Sequence, residues 1–139
     1  MSLYSVVVPV YNSEHTLTEL YTRLEKIFRE TVQEPFELIL VDDGSKDRSY
    51  QIMEELRQKD PRVKIIQMAK NFGQHPALLC GFSHAEGDFI ITMDDDLQHP
   101  PEKIVEMYRL WQQGYEIVEG IKKNRGEESK IHGFAAKSF

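Results

Sequence analysis

Glu37-Leu38-Ile39-Leu40-Val41-Asp42-Asp43-Gly44-Ser45 passes without a break from an apolar run into turn chemistry. A short, continuous apolar run of this kind is the pattern of a strand covered on both faces, as in a parallel sheet between helices. Ser5-Val6-Val7-Val8-Pro9-Val10 repeats it upstream and is predicted as the first strand. Between the two, Leu17, Leu20, Tyr21, Leu24, Ile27 and Phe28 recur at spacings of three and four, predicting one helix face from about Glu14 to Arg29.

Downstream the alternation continues. Ser45 or Asp47 is placed to cap a helix running through Ile52, Met53 and Leu56, and Asp60-Pro61 stops it. Val63-Lys64-Ile65-Ile66 makes a third strand, and a polar loop through Asn71, Gly73 and Gln74 leads to a helix from about Pro76 to Ala85. Asp88 to Met93 is the fourth strand. Pro100-Pro101 opens a helix carrying Ile104, Val105, Met107, Tyr108 and Trp111. Gly114 ends that helix, and Tyr115-Glu116-Ile117-Val118 is a fifth strand. Strands alternating with helices throughout imply right-handed crossovers, hence an α/β domain with a mostly parallel central sheet flanked by helices. No repeat, low-complexity stretch or linker interrupts the 139 residues, so residues 1–139 read as a single domain.

A formal charge of −6 argues against a nucleic-acid partner, which normally meets a basic face. An anionic ligand would then need a local cation. Cys80 is the only cysteine, so no internal disulfide can form and a reducing, cytoplasmic compartment is expected. Flanked by Leu78, Leu79 and Phe82, Cys80 reads as a core residue rather than a nucleophile. No stretch reaches the roughly 18 to 20 apolar residues of a membrane span.

In a sheet of this kind ligands bind beyond the carboxyl ends of the strands, where this sequence concentrates its acids. Asp42 and Asp43 follow strand two, Asp94, Asp95 and Asp96 follow strand four, and Pro9-Val10-Tyr11-Asn12 closes strand one. Carboxylates one residue apart, Asp94 and Asp96, can both approach a hard divalent cation, Mg2+ or Mn2+, that keeps open positions for diphosphate oxygens. The plain alternative is that these acids cap the next helix and face water, but three consecutive aspartates repel one another unless a cation compensates. For Asp42-Asp43-Gly44-Ser45 a turn-plus-cap role stands beside ligand binding, and Asn71 and Gln74 could equally satisfy loop backbone groups. The five histidines are scattered, with His75 and His99 nearest the expected crevice. The phosphate loop of NTPases, the dinucleotide fingerprint and the nucleophile elbow of hydrolases are all missing.

Val8-Pro9-Val10-Tyr11-Asn12, Val41-Asp42-Asp43-Gly44-Ser45-Lys46-Asp47 and Asp94-Asp95-Asp96-Leu97-Gln98, in this order, resemble the family-2 glycosyltransferases. Asn71-Phe72-Gly73-Gln74, Gly81 through Asp88, and His99-Pro100-Pro101-Glu102 are similar to the branch acting on polyprenyl phosphates, which includes dolichyl-phosphate mannosyltransferases and bactoprenol glucosyltransferases. The resemblance implies the nucleotide-sugar-binding GT-A fold, a UDP- or GDP-sugar donor, a polyprenyl-phosphate or glycan acceptor and metal-assisted inversion at C1. It also implies that Pro9, Tyr11 and Asp42 or Asp43 hold base and ribose, and that Asp94 and Asp96 are the D-x-D metal pair. Asn12, Asn71, Gln74 and Asp95 join the nucleotide-binding candidates, and no catalytic base is evident before Phe139.

By the same resemblance the chain reads as C-terminally truncated, transferring no sugar by itself and leaving membrane association, at the cytoplasmic face, to a part beyond Phe139. A magnesium-dependent phosphotransfer domain is an alternative, although it would want acids after strand one, where Tyr11-Asn12 stands; a degenerate nucleotide-binding module is another. In the tail, Lys122, Lys123, Arg125, Lys130 and Lys137 accompany Ile131, Phe134, Ala135 and Phe139 at helical spacings, predicting a basic amphipathic helix that packs against a missing part or lies on an anionic membrane.

Overall fold

A computed structural model describes residues 2–114, 117–121 and 130–134. Four strands, β1 (Tyr4–Val10), β2 (Phe36–Asp42), β3 (Val63–Gln67) and β4 (Phe89–Thr92), form one all-parallel sheet in the order β3-β2-β1-β4. Every residue of β1 and β2 is buried, which is why their sequences run apolar instead of alternating. On one face Val6, Val8, Val10, Leu38 and Leu40 meet α1 (Leu17–Ile27), α2 (Ser49–Lys59) and α4 (Lys103–Gln112) through Leu20, Leu24, Met53 and Ile104. On the other face Val7, Ile39 and Val41 meet α3 (Gln74–Ser83) through Ala77. Cys80 is half-buried beside this second cluster, and Trp111 packs edge-on against Phe89 at 3.9 Å between ring centroids.

The predicted first helix covers the α1 face as expected but continues as a π-helical turn, Phe28–Val32, ended by Gln33 at φ 56°. The wider turn drops Phe28 onto Phe36, their rings stacked 4.6 Å apart. Pro100 and Pro101 stand just ahead of α4 rather than within it, their carbonyls accepting the N–H groups of Lys103 and Ile104. Ser45 does not cap α2; the first-turn N–H of Ser49 donates to Asp47 Oδ1 at 2.8 Å.

Two further expectations are corrected. The fifth strand, β5 (Ile117–Ile121), does not extend the parallel sheet but pairs antiparallel with β6 (Lys130–Phe134), Ile117 opposite Phe134 and Ile121 opposite Lys130. The predicted tail helix is therefore overturned over residues 130–134, which are extended; Lys122, Lys123, Arg125, Ala135, Lys137 and Phe139 lie outside the described residues. Ile131, Phe134 and Ala135 span about one helical turn, too short for spacing to outweigh cross-strand pairing.

Two buried acids tie the layers together. Glu37 Oε1 accepts Ser5 Oγ and the Glu86 N–H, each at 2.7 Å, while Oε2 meets Lys64 Nζ at 2.7 Å. Burial works to raise the Glu37 pKa, but these partners outweigh it and hold the carboxyl below its ordinary value. Asp60, between α2 and β3, receives Tyr21 Oη at 2.7 Å and a two-pronged contact from Arg62, which brings its pKa down to about 2.

Gly81 is where α3 approaches β1 most closely, since a Cβ there would lie 2.3 Å from Val7 Cγ1. Gly81→Ala gains about 1 kcal/mol of helix propensity but must push the helix off the sheet, and a net loss of ~1–3 kcal/mol is expected in urea unfolding. A neutral or stabilised variant would refute the close packing. For Asp60 the folded-state pKa lies below the unfolded one, so the unfolded chain takes up the proton first as pH falls. The stabilisation is complete above about pH 4 and disappears toward pH 2. Asp60→Asn should lose roughly 1–2 kcal/mol at pH 7, counting the half-exposed Arg62, and should show a correspondingly shallower decline in stability between pH 5 and pH 2.

Candidate functional site

Parallel pairing brings the carboxyl ends of β1, β2 and β4 to one edge, and the loops beyond them enclose a cavity of about 480 Å3. Pro9 and Tyr11 come from the end of β1, Asp43 from β2, Asn71 and Gln74 from the β3–α3 loop, and Asp94, Asp95 and Asp96 from the turn after β4. Eight of the ten residues singled out in the sequence thus line one space; Asn12 and Asp42 do not. A larger cavity of about 740 Å3 adjoins along β4, sharing Gln74 and Asp94 and bordered by His99. His75 is exposed and lines neither.

The Tyr11 side chain stands at the rim, 44% exposed. Gln74 Nε2 donates to Asp94 Oδ1 at 3.3 Å, and exposed Asp96 accepts the Gln98 N–H on Oδ1 at 3.1 Å. Among the described residues no group of three His, Cys, Asp or Glu side chains is gathered as a metal cage. Two carboxylates at the mouth of a polar cavity nevertheless fit a hard cation that takes its remaining ligands from phosphate and water.

Other acids at this edge hold backbone. Asp43, buried, accepts the N–H groups of Phe72 at 2.8 Å and Gly73 at 3.1 Å, one on each oxygen. This fastens the β3–α3 loop against the β2 end, where Gly44 at φ 81° leaves no room for a side chain: a Cβ would be 2.6 Å from Asn71 N. Asp42, 1% exposed, accepts the Ser45 N–H on Oδ1 at 3.2 Å, while its buried Oδ2 has no hydrogen-bond partner. Asp95 Oδ2 accepts the Tyr11 N–H at 2.8 Å and the Ser13 hydroxyl. Burial raises its pKa above the usual carboxylate value, opposed by those two bonds.

Sequence reasoning missed the latch between the β1–α1 and β2–α2 loops. Asn12 N–H donates to Ser45 Oγ at 2.9 Å and its Oδ1 accepts the Lys46 N–H at 2.8 Å. Ser13 N–H donates to Ser49 Oγ at 2.7 Å, Glu14 N–H to Asp47 Oδ2 at 3.2 Å, and Arg48 N–H to Glu14 Oε2 at 3.0 Å. The available signal was the density of Ser, Asn, Asp and Glu in 12–14 and 45–49, residue types that bond to neighbouring backbone.

Known proteins share both the sequence and this architecture. The chain is 48% identical over 125 residues to a Bacillus subtilis protein named as an uncharacterized glycosyltransferase, YkcC, covering 89% of this chain and 38% of that one. It is 42% identical over 130 residues to the undecaprenyl-phosphate 4-deoxy-4-formamido-L-arabinose transferase of Pseudomonas paraeruginosa, covering 93% of this chain and 38% of the relative. The chain therefore spans well under half the length of these relatives. Among solved structures, S. aureus TarS 1-349 in complex with UDP-GlcNAc superposes with a TM-score of 0.68 at 30% identity, over 92% of this chain and 37% of that one. The α/β, GT-A-like architecture agrees with that neighbour. Residues 5–133 match the family described as Glycosyl transferase family 2, and the chain belongs to that family.

Proposed function

We propose that this chain is the nucleotide-sugar-binding part of a glycosyltransferase that moves a sugar from a UDP- or GDP-sugar to polyprenyl phosphate, with metal-assisted inversion at C1. The observation carrying this reading is that Asp94 and Asp96 share one cavity with Pro9, Tyr11, Asn71 and Gln74 at the carboxyl edge of the sheet. Support for the donor comes from TarS, solved with UDP-GlcNAc, and for the acceptor from the relative named as an undecaprenyl-phosphate transferase. Among the described residues no helix is long and apolar enough to cross a membrane. The site is assigned to the cytoplasmic face, where a polyprenyl phosphate would present its headgroup.

Asp94 and Asp96 would hold the divalent cation, Mg2+ or Mn2+, and Gln74 holds Asp94. When bound, such a cation would supply positive charge to balance that of the diphosphate leaving group. The exposed Tyr11 ring and Pro9 form the wall for base and ribose, while Asp42 lies buried behind that wall and outside the cavity. A phosphate acceptor is already anionic, so its attack needs no strong general base from the protein. Asp43 and Asn12 serve the same site by holding its loops in place.

The test is calorimetry with UDP and GDP, with and without Mn2+. Asp94→Asn and Asp96→Asn are each expected to weaken Mn2+-dependent binding at least tenfold, about 1.4 kcal/mol, at unchanged melting temperature. Manganese-dependent binding that survives intact in both variants would overturn the assignment.

A further inference from the structure

The acidic turn after β4 presents an assembly problem, because three adjacent carboxylates repel and a turn that splayed would separate Asp94 from Asp96. Two alternate residues pin it. Asp95 turns away from its neighbours to the β1–α1 loop, where Oδ2 accepts the Tyr11 N–H at 2.8 Å and the Ser13 hydroxyl. Its carbonyl also accepts the Thr16 hydroxyl, so the residue is bound to that loop by main chain and side chain. Leu97 has φ 61°, a conformation a leucine rarely adopts, and its half-buried side chain packs against the main core. Asp96 lies between these two anchors and is exposed, and Asp94 precedes them with its carboxylate on Gln74.

The other end of the Asp95 contact matters equally. Tyr11 contributes its N–H to Asp95 while its side chain stands exposed at the cavity rim. One carboxylate thus sets the place of the aromatic wall relative to the acidic wall. We propose that Asp95 is a positioning residue that couples the Tyr11 wall to the Asp94–Asp96 pair, touching neither nucleotide nor metal. The proposal rests on the functional reading above for what the two walls bind, but the coupling between them is a property of the fold.

The charge of Asp95 is not what the coupling uses. An asparagine can place its carbonyl oxygen where Oδ2 lies and still accept from Tyr11 and Ser13, whereas alanine removes the acceptor altogether. In the 139-residue chain, Asp95→Ala is therefore expected to weaken UDP or GDP binding in Mn2+ at least tenfold. Asp95→Asn should stay within about threefold of wild type, and Ser13→Ala, which removes one of the two donors, should fall between. Amide hydrogen exchange supplies a readout independent of any nucleotide: the Tyr11 N–H should exchange at least tenfold faster in Asp95→Ala, with the Val8 N–H inside β1 unchanged. If Asp95→Ala does not fold, Ser13→Ala carries both measurements. Binding lost equally in Asp95→Asn and Asp95→Ala would make Asp95 a direct contact and overturn the proposal, as would unaltered Tyr11 exchange. A wild-type chain that binds neither diphosphate would overturn the functional reading instead, and exchange at Tyr11 would still decide the coupling.

Discussion

Everything at the candidate site depends on β1 being paired in parallel on both edges, with β2 on one side and β4 on the other. β2 pairs with β1 along its whole length and β4 along Tyr4 to Val7, and burial of both faces removes the side chains of β1 from water. Parallel direction has a functional corollary. The four strands of this sheet end at the same edge, so loops distant in sequence, Tyr11 to Ser13, Asp42 to Ser45 and Asp94 to Asp96, become neighbours. An antiparallel β4 would have carried the acidic turn to the opposite end of the sheet.

The carboxylates collected there divide into two kinds of use. Asp43 and Asp95 accept backbone N–H groups from loops other than their own, and Asp47 joins Glu14 to the start of α2. A carboxylate is suited to this task because it accepts on two oxygens and gains from each N–H dipole. Asp94 and Asp96 are left facing the cavity and solvent, with single contacts to Gln74 and the Gln98 backbone. An acid cluster that looks redundant as a string of letters is thus partitioned between holding the walls and lining the space between them.

The two faces of the sheet are built differently. One is closed by three helices on large aliphatic side chains, and the other by α3 on Ala77 with Gly81 pressed against Val7. The single α3 does not extend over β4 on that face, where Ile90 is 49% exposed. Close approach of α3 also has a consequence for the site, since its first residue, Gln74, is thereby set beside Asp94.

The α/β class, the four parallel strands and the convergence of Pro9, Tyr11, Asp43 and the three aspartates were legible in the sequence, because each rests on local signals. Apolar runs mark strands buried on both faces, spacings of three and four mark helix faces, and the carboxyl-edge rule locates the residues that succeed each strand. What only tertiary structure decided is which partner each polar group meets. Asn12 looks the same in the sequence whether it binds a ligand or latches Ser45 and Lys46, and Asp95 looks the same beside a nucleotide or beneath the Tyr11 backbone. The pairing of β5 with β6 was likewise invisible, since one turn's worth of apolar spacing in Ile131 and Phe134 suits helix or strand until a neighbouring backbone supplies the hydrogen bonds. Periodicity records which side of an element is buried; hydrogen-bond partners across the chain are a matter of three-dimensional proximity, and that information is not local.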